Sequence, residues 1–407
     1  MSSIIARSTP PHRNLCTDCG VSRTSAPERC ASACQFIRPD YPSLETRHHG
    51  RQRDLERPDE LFFGVFEQMA QARRTPVAEG AQWTGLTTGF AEKLLDSGTV
   101  SAVVCIGPAM DDPWRPETRT ITRAADMASC RGMRMGYAPL LYEVEQAIAS
   151  GHRKIAVIGI PCQVYAIRSL QNTWDIDQLY VIGTPCSDNT TTERFHEFLN
   201  LLDPQPERIN YLEFLPNFHV ELRYVGGGVR RIPFLQLPIA DLAPDFFPLT
   251  CRTCVDYSNS LADITVGYMG GGGEDQWLVI RNSKGEHLLE LMGDELVLKT
   301  PLSRGARRSS VAGFIANTER AAGGLPLRRM PQWLRPIMAK IMPIVGPKGL
   351  EFARTRIEMK AAETLIHLRA SAPQRLKTMV PRTIWQIMKP YGFTAQPEEL
   401  MSNEESL

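Results

Sequence analysis

The sequence predicts an α/β protein: a mixed-sheet core, preceded by a cysteine-bearing arm and followed by a helical C-terminal region. Three observations predict it. Short β-branched runs alternate with helical segments between residues 88 and 202, as in parallel strands joined by helical crossovers. Residues 209–235 switch to a period of two around Gly226-Gly227-Gly228, the pattern of an antiparallel hairpin. The two ends carry neither pattern: residues 1–58 are rich in Pro, Arg, Ser and Cys, and the stretch from 326 onward is basic and amphipathic.

The elements follow in order. DELFFGVFEQMAQARR places Leu61, Phe62, Val65 and Met69 on one helical face and predicts a helix. TGFAEKLLDSG reads as a helix closed by Gly98, and TVSAVVCIG as a buried strand. APLLYEVEQAIASG is a helix, HRKIAVIGIP a strand, CQVYAIRSLQ a helix, QLYVIGTPC a strand and TTERFHEFLNLL a helix. VELRYV and VRRIPF flank the glycine turn, and LADITVGYM and QWLVIRNSKGEHLL supply two more strands, the second followed by a helix. WLRPIMAKIMPIV and LEFARTRIEMKAAETLIHLRA are amphipathic helices. The expected divisions are an arm at 1–58, a core at 59–325, a basic helical region at 326–395 and a disordered tail at 396–407.

Composition narrows the class. A chain of 407 residues with 43% hydrophobic and 22% charged residues is an ordinary globular protein. Its net charge of +1 and its lack of paired zinc knuckles argue against a nucleic-acid binder. No apolar run is long enough for a spanning helix, and the N-terminus lacks a signal-peptide core and is short for a transit peptide. A cytoplasmic protein is expected, with a homo-oligomer left open.

Eight of the ten cysteines form two groups. Cys16, Cys19, Cys30 and Cys34 crowd the arm. Cys162 and Cys186 each follow a predicted strand at a Gly/Pro turn, where ligands gather in parallel sheets, and Cys251 and Cys254 form a C-x-x-C. A reducing compartment favours metal over disulfides. Zinc accepts four thiolates but usually through two close knuckles, whereas iron–sulfur clusters accept irregular spacings. Cys105, inside an apolar strand, reads as a packing residue; Cys130 is left open.

LCTDCG, FFGVFEQM, EGAQWTG, IPCQVYAIRSL, VIGTPCSDN, CRTCVDYSNSLADITVGYMG and VGPKGLEFAR carry a resemblance running from residue 15 to about 355. In them the chain resembles the iron–sulfur flavoprotein family of the deazaflavin-reducing hydrogenase beta subunits. Within that family it is similar to the ferredoxin-dependent branch that acts on chlorophylls. The resemblance implies FAD and two 4Fe–4S clusters, with an iron–sulfur arm and an FAD-binding core. Cys16, Cys19, Cys30 and Cys34 would hold the first cluster, and Cys162, Cys186, Cys251 and Cys254 the flavin-proximal one. Plant members read C-x-x-C-x-x-C in the arm; Ser22 stands at the third position here, so Cys30 would substitute.

No G-x-G-x-x-G follows a strand, so a Rossmann dinucleotide site is not indicated. By resemblance the flavin lies along Gln82, Trp83, Thr84 and Gly85, at a helix start whose free N–H groups suit phosphate. Gly159, Pro161 and Gln163, and Gly267 to Gly270, would form its other walls. Asp263 reads equally as a flavin-site group or a strand-end cap. The implied partners are reduced ferredoxin and a tetrapyrrole pigment. The implied reaction reduces the 8-vinyl group of a divinyl (proto)chlorophyllide, or the 7-hydroxymethyl group of a chlorophyll, with the lack of a convincing plastid transit peptide favouring the former. The alternative of a different class is an electron-transfer subunit of a larger oxidoreductase. His219, Tyr211, Tyr268 and Glu79 are candidate proton donors, none preferred. Residues 327–390 hold 13 Lys and Arg against three Glu. That stretch could dock an acidic ferredoxin, lie on an anionic photosynthetic membrane surface, or be a solvated face.

Overall fold

The computed structural model describes residues 16–268, 270, 275–321, 325 and 330–400. The first fifteen residues of the expected arm, and residues 401–407 of the tail expected to be disordered, lie outside the described residues.

The arm contributes α1 (Tyr41–His49) and leads into α2 (Pro58–Phe63). The core then runs β1 (Gln68–Arg74), α3 (Leu86–Asp96), β2 (Ala102–Pro108), β3 (Pro116–Ile121), α4 (Leu140–Ala149), β4 (Lys154–Gly159), α5 (Pro161–Leu170), β5 (Gln178–Gly183) and α6 (Thr192–Leu202). A three-stranded meander follows: β6 (Ile209–Phe214), β7 (His219–Tyr224) and β8 (Val229–Pro233). A single turn, α7 (Leu249–Arg252), precedes β9 (Ile264–Gly267), β10 (Gln276–Ile280), α8 (Ser283–Met292), β11 (Leu296–Lys299) and β12 (Ser303–Arg304). The rest is α9 (Arg307–Arg320), α10 (Leu334–Val345), β13 (Lys348–Gly349), α11 (Leu350–Ser371), α12 (Leu376–Met379) and α13 (Arg382–Met388).

The main sheet has eight strands in the order β11-β1-β10-β9-β5-β4-β2-β3. Its centre is parallel, β2 with β4, β4 with β5 and β5 with β9, and the flanks are antiparallel. Strand residues alternate between two cores. Val103, Ala156, Tyr180, Ile182, Ile264 and Leu278 face α3 and α8. Val104, Ile155, Val157, Leu179 and Val181 face α4 and α5, while Trp277 and Val279 face α11 and α13. The sheet is thus covered on both sides, which is why its strands read as near-continuous apolar runs.

One expected element is different. The helix predicted from residue 59 onward stops at Phe63, and its second half is strand β1. Gly64 sits at φ 75, out of the helical region, and the carbonyls of Phe63 and Val65 accept from the buried Arg281 guanidinium at 2.7 and 2.8 Å. That tertiary anchor overrides the helical periodicity. In the arm, Val21, Ala33, Tyr41 and Leu44 pack into the α4/α5 core.

Candidate functional site

The carboxyl ends of β4 and β5 deliver Cys162 and Cys186 to one place. Cys162 enters at the start of α5 behind Pro161, and Cys186 lies three residues beyond Gly183. The loop from 251 to 262 brings the C-x-x-C beneath them. The Asp256 carboxylate accepts from the Ser260 N–H at 2.9 Å, and Asn259, at φ 58, donates to the carbonyls of Gly159 and Thr184. This loop presses so closely on β5 that a Cβ at Gly183 would stand 2.6 Å from Ala262 Cβ. Cys162, Cys186, Cys251 and Cys254 all line one small cavity, together with Thr17, Gln35, Pro161 and Asp188.

Cys16, Cys19, Cys30 and Cys34 also gather, close enough that each of the other three adds to burial in pushing the Cys19 thiol up to about 12. The two groups touch through single residues. Thr17 donates its hydroxyl to Cys162 Sγ at 3.6 Å, and Gln35 donates Nε2 to Cys254 Sγ at 3.5 Å. Each is the sequence neighbour of a thiol in the other group, Cys16 and Cys34.

The surroundings are shaped for sulfur that carries charge. Backbone N–H groups two residues on donate to Cys16, Cys19, Cys34 and Cys254, and that of Asn189 donates to Cys251. Burial nonetheless pushes the Cys162 and Cys186 thiols well up, and Cys251 and Cys254 to about 12 and about 11. The Tyr137 hydroxyl is buried without a partner among the described residues, in the field of Cys251, Cys162, Cys186 and Cys16. Aligned donors, an orphaned hydroxyl and thiols reluctant to ionise alone fit a bound cationic group that takes the thiolates outright. Among the described residues no three His, Cys, Asp or Glu side chains close on a point for a single metal ion. A cubane cluster holds its ligands farther apart than one ion does.

A buried charge network backs this cavity. Lys360 Nζ on α11 lies 2.6 Å from Asp188 Oδ1 and 2.8 Å from Glu363 Oε2. Burial lifts Asp188 to about 6 against the pull of Lys360, and the same lysine opposes the rise at Cys186, Cys251 and Cys254. Neither Lys360 nor Glu363 is signalled by a motif; in the sequence they belong to a basic helix.

The residues expected around a flavin fall in three places. Gln82, Trp83, Thr84 and Gly85 precede α3 and meet the end of β9, where Trp83 packs edge-on against Tyr268 at 4.8 Å. Gly267 and Gly270 flank Tyr268, and both are close-packing positions, against Pro185 and Trp277 and against the Phe352 ring. Gly159 ends β4, Pro161 lines the cysteine cavity at the start of α5, and the Gln163 amide bonds the Ile160 N–H and the Ala138 carbonyl. Asp263 stands at the opposite end of β9, held by Arg168 at 2.6 Å, Asn282 at 2.8 Å and the Val181 N–H at 2.7 Å.

The helix start at Gly85 is already satisfied. The Trp83 N–H donates to Glu213 Oε1 at 2.6 Å, the Leu86 N–H to Gln276 Oε1, and the Gly85 N–H to the Gln82 carbonyl. Thr84 Oγ1 donates to Gln276 Oε1 and accepts from the Arg74 N–H. A pyrophosphate bound through the Trp83 or Leu86 N–H would displace Glu213 or Gln276. Of the candidate proton donors, Tyr268 donates to the Leu215 carbonyl and Tyr211 to Glu213, Glu79 is exposed, and His219 Nδ1 sits against Asn217. Cys105 and Cys130 pack together outside both thiol groups; the hydrogen bond from Cys105 lowers the Cys130 thiol to about 6.

Several expected free cations are spoken for. Arg354 pairs with Asp59 and Glu351, Lys360 is buried, and Arg369 pairs with Glu399 at 2.7 Å. Leu327, Arg328 and Arg329 lie outside the described residues.

Comparison with known proteins finds relatives for most of the chain. Residues 68–144 match the model for the N-terminal part of the coenzyme F420 hydrogenase/dehydrogenase beta subunit, and residues 152–302 match the model for its C terminus. The chain is 31% identical over 404 residues to the chloroplastic 7-hydroxymethyl chlorophyll a reductase of Oryza sativa subsp. japonica, covering 96% of this chain and 85% of that protein. It is 33% identical over 381 residues to an uncharacterized protein of Nostoc sp., with 94% of each covered. The coenzyme F420 hydrogenase subunit beta of Methanothermobacter thermautotrophicus is 24% identical over 244 residues, covering 56% of this chain and 82% of that protein. A chain of the F420-reducing [NiFe] hydrogenase complex from Methanosarcina barkeri shares the fold, with TM-score 0.52 and 20% identity over 59% of this chain and 84% of that one. An α/β core matched through both halves, and two relatives matched over nearly the whole chain, make this protein a member of the coenzyme F420 hydrogenase/dehydrogenase beta subunit family.

Proposed function

We propose that the protein is a ferredoxin-dependent reductase of a chlorophyll-type pigment, acting on the 8-vinyl group of a divinyl chlorophyllide or protochlorophyllide. The observation that carries the electron-transfer part is the meeting of two four-thiol groups, bridged by Thr17 and Gln35. Cys16, Cys19, Cys30 and Cys34 would hold one 4Fe–4S cluster and Cys162, Cys186, Cys251 and Cys254 the other, each set enclosed and supplied with N–H donors. The flavin, FAD, would convert single electrons into a hydride equivalent. Its neighbours in this reading are Gln82, Trp83, Thr84, Gly85, Gly159, Pro161, Gln163, Asp263, Gly267 and Gly270, of which Gln82, Thr84, Gln163 and Asp263 also make side-chain hydrogen bonds within the protein.

The chain's residues divide the work. Trp83, Tyr268 and Phe352 form an aromatic wall next to the Cys186 turn, suited to a flat conjugated substrate. Two electrons and two protons convert the vinyl group to ethyl. The same input converts a hydroxymethyl group to methyl with release of water, and likeness to the rice enzyme along the chain favours this as the second reading.

The test is a paired anaerobic assay with reduced ferredoxin, offering divinyl protochlorophyllide and 7-hydroxymethyl chlorophyll a separately. Conversion of the vinyl substrate alone supports the leading reading; conversion of the hydroxymethyl pigment alone replaces it with the second. Conversion of neither, while the bound cofactors still reduce, overturns both.

Lys360 gives a prediction of its own. A fixed cation beside the core thiolates stabilises an added electron, so Lys360→Gln lowers the midpoint potential of that cluster. A tenfold fall in the reduced-to-oxidised ratio corresponds to about 59 mV for one electron. Spectroscopic redox titration reads this, and Lys360→Arg should restore most of it.

A further inference from the structure

Five of the exposed large hydrophobic side chains among the described residues gather on α10. Trp333, its N-cap, is 71% exposed and Ile344 75%, while Ile337, Ile341 and Val345 are also exposed. The spacing 333, 337, 341, 344–345 puts all five on one helical face. Lys340 is exposed on the same face, and Arg335 and Ala339 are buried on the other. The helix packs against the turn at Phe234–Gln236 beside the meander, so its position is fixed while no described residue covers its outer face. No described helix is long and apolar enough to cross a membrane.

We propose that α10 is an interfacial anchor that lays this face into an anionic lipid surface. Charge selects this occupant. From residue 320 to 350 the sequence contains six Lys and Arg and no Asp or Glu, so nothing on this stretch repels lipid phosphate. Chemistry selects it as well. A Trp at the helix end, aliphatic side chains along the face and a lysine that can snorkel to the headgroups are the composition of a helix lying in the membrane plane. An electron-carrier protein that docks and leaves needs a charged rim rather than five exposed apolar side chains. The inference uses no step of the pigment chemistry; it adds that an amphiphilic substrate would meet the enzyme at the surface where such molecules partition.

The experiment is flotation of the full-length, anaerobically purified protein with vesicles of phosphatidylcholine alone or mixed with phosphatidylglycerol. The protein should float with the phosphatidylglycerol vesicles, and its partition should fall roughly tenfold or more in the double variant Ile337→Glu and Ile344→Glu. Lys340→Glu should weaken binding to the anionic vesicles alone. All of these positions are exposed, and unchanged visible absorption checks that the variants are folded. Wild type remaining at the bottom with both vesicles overturns the proposal. So does a double variant that floats like wild type, or equal flotation on neutral vesicles. A wild-type dimer that Ile344→Glu converts to a monomer, with no flotation, would assign the face to self-association instead.

Discussion

Cys254→Ser should abolish pigment reduction and remove about half of the bound iron, leaving the arm's share in place. Cys254 is buried at the convergence of three segments. Its thiol receives the Gln35 side chain and the Asp256 N–H, and its carbonyl accepts from Thr364 on α11 at 3.0 Å. Serine is nearly isosteric, so the loop keeps its backbone bonds. The oxygen, however, is a far weaker acid than sulfur and a poor match for iron. The fold should therefore survive with the core site depleted, read as iron content and as loss of turnover with flavin still bound. A fully active variant with its full iron would show that this thiol holds no essential cluster.

Asp263→Ala should destabilise the fold by about 3–5 kcal/mol, the usual cost of leaving one member of a buried ion pair unpaired. The Arg168 and Asp263 side chains are 1% and 2% exposed. Removing the carboxylate strands the guanidinium and takes the acceptor from the Val181 N–H at the middle of β5 and from Asn282, the N-cap of α8. Burial alone would raise this carboxyl, but Arg168, Lys284, Asn282 and the Val181 N–H outweigh it and hold it below the usual range. Its stabilisation is thus complete at neutral pH and is lost as pH falls through the acid range. A lowered melting temperature and poor soluble yield are the expected readouts. A variant of unchanged stability that lacks flavin would return Asp263 to the cofactor site.

The alternation from α3 to α6 was legible in the sequence because each strand and helix is long enough to show its period, and Gly98 closes α3 as read. The clustering of the thiols was visible in the sequence because cysteine is scarce, and because Cys162 and Cys186 follow the runs that become β4 and β5. The split of 59–74 into α2 and β1 was not: it depends on Arg281, more than two hundred residues away, reaching two carbonyls. Strand β3 was missed because PETRTI sits at the sheet edge with a partly exposed polar face. Thr17, Gln35 and Lys360 matter only through partners distant in sequence, so composition gives no sign of them. The charge of the C-terminal region was counted correctly, but a sequence count cannot see that Asp59, Asp188 and Glu399 pair with three of its cations, Arg354, Lys360 and Arg369.

The central claim is that eight thiols hold two neighbouring iron–sulfur clusters. The measurement that tests it most directly is metal and acid-labile sulfide analysis of the anaerobically purified protein, with electron paramagnetic resonance after reduction. The account predicts iron and sulfide in the amounts that two four-iron clusters require. It also predicts reduced-state signals broadened by mutual interaction, since Thr17 and Gln35 place the two sites side by side. Colourless protein carrying stoichiometric zinc and no sulfide would contradict it.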